Sequence, residues 1–193
     1  MTDLSTYEGR RAAWADELDS DRYEQYTGGA LRLRYQNIDT DDPTMKPQCC
    51  CLGVGCELVI KHAPELLGRA AYASKYSYQH PNLDPDLQQQ VSFMPKEAYD
   101  WLGLPGGNPT ATLDQAFIEA FEALQLERSE AGEEPILLTN PHTDRATNQL
   151  LEGMSLELAG MNDAKVPFTL IAGLIRRECL DHVQTGVPAA IRV

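Results

Sequence analysis

The run Gln48-Cys49-Cys50-Cys51-Leu52-Gly53-Val54-Gly55-Cys56-Glu57-Leu58-Val59-Ile60-Lys61-His62 decides how the chain is built, because its hydrophobic period changes partway through. The small apolar residues up to Cys51 suit an extended strand. From Leu52 onward, Leu52, Cys56, Val59 and Ile60 return at helical spacing, with Glu57 and Lys61 one turn apart on the exposed face. The pattern predicts a strand leading into a helix over about 52–62, ended ahead of Pro64 because a residue before proline is pushed out of the helical region. Gly53 and Gly55 lack side chains where the helix has to come close to a neighbouring strand.

Upstream, Leu31, Leu33 and Tyr35 alternate with Arg32, Arg34 and Gln36, which is the period of a half-buried strand. The acidic, proline-bearing stretch 39–47 joins it to the next apolar segment, so a hairpin over about 29–51 is expected. Trp14 and Leu18 lie four apart in a stretch of good helix formers, predicting a helix over 7–19. Downstream, 68–92 reads as loop with a short helix or strand, and Pro95 opens a helix to Trp101 that the glycines from Gly103 stop. Leu113, Phe117, Ala120, Phe121, Leu124 and Leu126 mark one face of a helix over 113–131. A short buried strand is expected at 135–139, then a polar loop to 147, then helices over 145–160 and 167–183. Arg176 and Arg177 sit near the end of the last one, where the helix dipole favours cations. The sum is an α+β, helix-dominated single domain, 1–193, around a small antiparallel sheet.

With 193 residues, 42% of them hydrophobic, the chain can bury a core of its own. Against 16 Lys and Arg stand 29 Asp and Glu, a net charge of −13, which argues against a protein whose main work is gripping phosphates, so no direct nucleic-acid binding is expected. The acid is uneven: residues 1–45 hold ten acids and five bases, 46–110 six and five, and 111–193 thirteen and six. No run reaches the ~18 apolar residues of a membrane span, and the first residues lack the apolar centre of a signal peptide. Five cysteines, four of them crowded at 49, 50, 51 and 56, make a poor disulfide framework, so a reducing cytoplasm is expected.

The cysteine block invites three chemical readings. Cys50 and Cys51 lie at a strand-to-helix junction, where a helix dipole can stabilise a thiolate nucleophile, with His80 or His142 as the base of a thiol-dependent hydrolase. Without a strong histidine motif, the simpler reading outweighs it: small strand residues, with Cys56 packed on the apolar helix face. Zinc is disfavoured because Cys51, Cys56 and His62 lack a second close pair of ligands. Gly53-Val54-Gly55 lacks the third glycine of a dinucleotide fingerprint. No metal and no cofactor is expected. Phe168-Thr169-Leu170-Ile171-Ala172 looks like the first helix of a helix-turn-helix, but too little chain follows for a recognition helix.

The block Cys50-Cys51-Leu52-Gly53-Val54-Gly55-Cys56-Glu57 resembles the CCLGVxCE signature of a family of small, mostly uncharacterised accessory proteins of tailed phages and prophages. Three further stretches are similar to that family in the same order: Trp14 to Gln25 with Gly28 to Arg34, Met94-Pro95 to Asn108-Pro109, and Met161-Asn162-Asp163 with Pro167-Phe168, Ile171-Ala172 and Leu174-Ile175. The chain departs from the pattern by the extra Cys49 and by residues 111–153, which look like a long acidic helical insertion. The resemblance implies a phage accessory product in the cytoplasm of an infected bacterium and brings no catalytic residues with it.

Glu119, Glu122, Glu127, Glu130, Glu133 and Glu134 form a negative face on and just past the insertion's helix, and such a field can occupy a basic surface of a host protein. A solvated helix face is the plainer alternative. The second binding reading is a pocket for a nucleotide-like small molecule walled by Arg32, Arg34, Tyr72, Tyr76 and Tyr78, since arginine and aromatic groups suit such a ligand; these arginines could equally be the solvent face of the hairpin. The expected function is therefore non-catalytic binding of a host protein or small signalling molecule, in host takeover or counter-defence. The thiol hydrolase is the enzymatic alternative.

Overall fold

A computed structural model describes residues 2–32, 46–72, 75–79, 92–140, 145–147 and 150–188, with backbone alone at 70–72, 75–77, 79, 139–140 and 145–147. Helix α1 (Tyr7–Leu18) starts where the Thr6 side chain accepts a hydrogen bond from the Gly9 N–H, and it turns Trp14, Ala15 and Leu18 inward. Strand β1 (Glu24–Gln25) pairs in parallel with β2 (Gln48–Cys49), whose other neighbour is Arg32 in an antiparallel bridge to Cys49. The Cys50 N–H donates to the Leu31 carbonyl at 3.0 Å, so the base of the expected 29–51 hairpin is present, while 33–45 lie outside the described residues.

Helix α2 (Cys51–His62) runs through the middle of the molecule, with Cys51 to Cys56, Leu58 and Val59 all buried, the pattern of a helix covered on nearly every side. A Cβ at Gly53 would lie 1.8 Å from the Leu31 carbonyl oxygen, next to the Arg32–Cys49 bridge, so Gly53 serves the close approach expected of it, whereas one at Gly55 would meet the side chains of Met94 (2.4 Å) and Trp14 and no strand. Strands β3 (Gly68–Tyr72) and β4 (Lys75–Gln79) form an antiparallel pair within the stretch expected to be mostly loop. Pro95 caps α3 (Lys96–Leu102), and Gly103, with φ of 69°, ends it.

Strand β5 (Thr110–Thr112) pairs antiparallel with β8 (Ser155–Glu157), and this pairing closes the base of the acidic segment. Between them lie α4 (Gln115–Glu130) and the antiparallel pair β6 (Leu138–Asn140) and β7 (Arg145–Thr147). Asp114 caps α4 by accepting from the Phe117 N–H at 2.9 Å. Phe117, Ile118 and Phe121 are buried, while Leu126, placed on the apolar face by spacing alone, is 62% exposed. Short α5 (Leu158–Asp163) and α6 (Phe168–Arg176) complete the fold, and α6 lies along α1.

The chain is α+β and helix-dominated, as the pattern predicts; its described strands form four two-stranded pairs, three antiparallel and one parallel. Two expected helices are corrected. The 145–160 stretch contains β7, a turn with Gly153 at φ 81°, and β8 before α5 begins, because β8 is claimed by β5. The 167–183 helix stops at Arg176, because Leu180 bridges to Ala111 and the Thr112 N–H donates to the Cys179 carbonyl. All described helices contribute to one hydrophobic cluster, which includes Leu113, Phe117, Ile118, Phe121, Ile136, Leu138 and Leu150 from the acidic segment. Among the described residues, no helix is long and apolar enough to cross a membrane.

Candidate functional site

Cys49, Cys50, Cys51 and Cys56 are free thiols, each at most 6% exposed. Cys50 is the capping residue of α2, and its Sγ accepts from the Gly53 N–H at 3.4 Å. Burial pushes the Cys50 thiol up to about 11 against the weaker pull of the backbone N–H groups of Gly53 and Leu52. Burial likewise raises Cys49, Cys51 and Cys56. The dipole argument for a thiolate is thus outweighed here by desolvation of the charge. Cys50 does line a small cavity of about 100 Å³ with Phe93, Asn162 and Asp163. The partners considered for it, His80 and His142, lie outside the described residues, and no cluster that could hold a metal ion occurs among the described ones.

The residue that organises this junction is Asn162. Fully buried at the end of α5, it accepts the Cys51 N–H on Oδ1 at 3.1 Å and donates from Nδ2 to the Tyr26 carbonyl at 2.8 Å. Gln25 supports it by donating to Oδ1 at 3.3 Å and to the Val166 carbonyl at 2.8 Å. Asn162 thereby satisfies a backbone donor at the start of α2 that would otherwise be stranded in the core. Spacing offers no hint of this, because the pairing spans more than a hundred residues.

Of the residues considered as a nucleotide wall, Arg32 and Tyr78 turn inward. Arg32 pairs with Glu57 at 2.8 Å, Arg69 approaches the same carboxylate at 3.4 Å, and the Tyr78 hydroxyl donates to it at 2.5 Å from a fully buried ring. Glu57, expected on an exposed face beside Lys61, is only 10% exposed; Lys61 instead pairs with Glu17 at 3.0 Å. Arg34 and the side chains of Tyr72 and Tyr76 lie outside the described residues.

The acidic face is on the surface as expected: Glu119, Glu122, Glu127, Glu130, Glu133 and Glu134 are all exposed. Arg128 pairs with Glu133 at 2.7 Å and donates to the Glu134 carbonyl, and Gln115 donates to Glu119. Among the described residues, Glu122, Glu127 and Glu130 have no cationic partner, and exposed Leu126 stands one turn from both Glu122 and Glu130. A larger cavity, about 360 Å³, opens elsewhere, between α1 and α3 around Arg10 and Trp101. Sequence reading passed over it because its walls come from four separate stretches of chain.

The fold and this surface define a helix-dominated α+β protein with a buried thiol cluster and an exposed acidic helix. No family model, curated protein or solved structure matches the chain.

Proposed function

We propose that the protein acts by binding, without chemistry of its own, and that the α4 face docks on a basic surface of a host protein, as an accessory product of a phage would in host takeover or counter-defence. The observation that carries this reading is the set Glu122, Glu127 and Glu130, exposed, without cationic partners among the described residues and grouped around an exposed Leu126. Glu127 and Glu130 stand about one turn apart, where like charges repel, so a basic partner relieves a cost that the free protein bears. Leu126 adds an apolar contact at the centre, where binding energy concentrates. The buried, protonated thiols support binding over thiol catalysis.

Affinity capture from bacterial lysate tests this, with the wild-type chain beside the triple variant E122Q/E127Q/E130Q. A defined basic protein is expected on the wild type at about 0.05 M salt, strongly reduced at about 0.5 M, where screening shortens the reach of surface charge, and lost from the variant. Equal retention by both chains, or retention indifferent to salt, overturns the reading.

A further inference from the structure

The cavity between α1 and α3 has a wall whose charges are specific. Arg10 is fixed before any ligand arrives: its Nε donates to the Leu4 carbonyl at 2.8 Å, its Nη1 to the Trp101 carbonyl at 2.9 Å, and its guanidinium lies over the Trp101 ring at 4.6 Å. Among the described residues no carboxylate comes within ion-pairing distance of it and none accepts a hydrogen bond from its Nη2. Glu97, in the first turn of α3, also lines the cavity and has no ion-pair partner among the described residues, whereas Asp100 is held by Lys96. Tyr7, Leu66, Trp101 and Pro188 supply the aromatic and apolar part of the wall.

We infer that this cavity binds a small zwitterion with an apolar arm, of the class of free aromatic amino acids, with its carboxylate on Arg10, its ammonium on Glu97 and its ring against the apolar wall. A fixed guanidinium with donors to spare is a carboxylate site. The neighbouring Glu97 and Asp100, on a chain of net charge −13, oppose a multiply charged anion such as a nucleotide phosphate, and Arg10 opposes a simple cation. A molecule carrying one charge of each sign satisfies both groups. The volume falls at the small end of ligand sites, which run from about 300 to 1,000 Å³. The site shares no residue with the acidic α4 face, so it stands or falls separately from the docking proposed above.

Titration calorimetry on the full chain tests the site with L-phenylalanine, and with phenylpropionate and phenethylamine as ligands that each lack one charge. Phenylalanine is expected to saturate at or below millimolar concentration, with each half-ligand at least about tenfold weaker. Glu97→Gln, at a half-buried position without hydrogen-bond or ion-pair partners among the described residues, should weaken phenylalanine about tenfold and leave phenylpropionate unchanged or somewhat tighter. Arg10→Gln, checked for folding by its thermal transition, should abolish both. No saturation by phenylalanine up to about 10 mM, a half-ligand that binds as tightly as phenylalanine, or indifference of phenylalanine binding to Glu97→Gln overturns the proposal. The E122Q/E127Q/E130Q variant should bind phenylalanine as the wild type does.

Discussion

A methyl group at Gly53 would have to share space with the Leu31 carbonyl, a backbone atom that cannot rotate away. Gly53→Ala is therefore expected to force α2 off the Leu31 segment and cost about 3 kcal/mol, as other overpacked core positions do; urea unfolding of the variant checks it, and an unchanged midpoint would mean that the segment simply yields. Glu57 shows the opposite relation between residue and pattern. Its spacing from Lys61 is that of an exposed pair, yet two arginines from distant segments and the Tyr78 hydroxyl converge on it. Helical spacing tells which residues share a face and leaves open what covers that face. Gly53 was legible because the lack of a side chain is itself a signal of close approach, whatever does the approaching, and Glu57 was not because its partners arrive from elsewhere.

At the scale of elements, α4 is anchored at its start and free along its acidic side. Asp114 caps it, accepts a two-pronged contact from Arg177 just past α6, and receives the Cys179 thiol at 3.5 Å. The Arg177 hydrogen bonds, aided by the Phe117 N–H and opposed by burial, hold the Asp114 carboxyl below its ordinary 3.8. A carboxyl depressed in the folded state contributes stability that is present above its ordinary value and lost as pH falls through the folded value. Asp114→Ala is expected to cost about 1 kcal/mol near neutral pH, the usual worth of a cap, and the gap from wild type should close as pH drops below 3.8 and through the depressed value. Urea unfolding across that range measures it; a gap independent of pH would assign the loss to packing alone. The same segment shows why two helices were misplaced: β8 and residues 179–180 have helix-compatible composition, but both sides of β5 need partners.

Across the whole molecule, the four buried cysteines report on one cooperative core. They sit where β2 meets α2, in the same cluster as the α4 and α6 residues, so opening the thiols requires taking the core apart. Alkylation at pH 7.5 followed by mass spectrometry is expected to modify half-exposed Cys179 alone in the folded protein, with Cys49, Cys50, Cys51 and Cys56 labelled together only through the urea transition. Early labelling of Cys50 by itself would instead show that the small cavity beside Phe93 gives reagents access, and would revive the nucleophile. By itself the sequence determined the class of fold, the helices 7–18, 51–62 and 115–130 to within a few residues, the steric purpose of Gly53 and the exposed position of the acidic row. Those features follow from periodicity and capping within a few turns of chain and, at Gly53, from the absence of a side chain. The tertiary structure alone decided the pairing of β5 with β8, the role of Asn162 beneath α2, the inward turn of Arg32 and the Arg10 cavity. Each of these joins residues far apart in the chain through hydrogen bonds and charges, whose partners are set only when the segments meet.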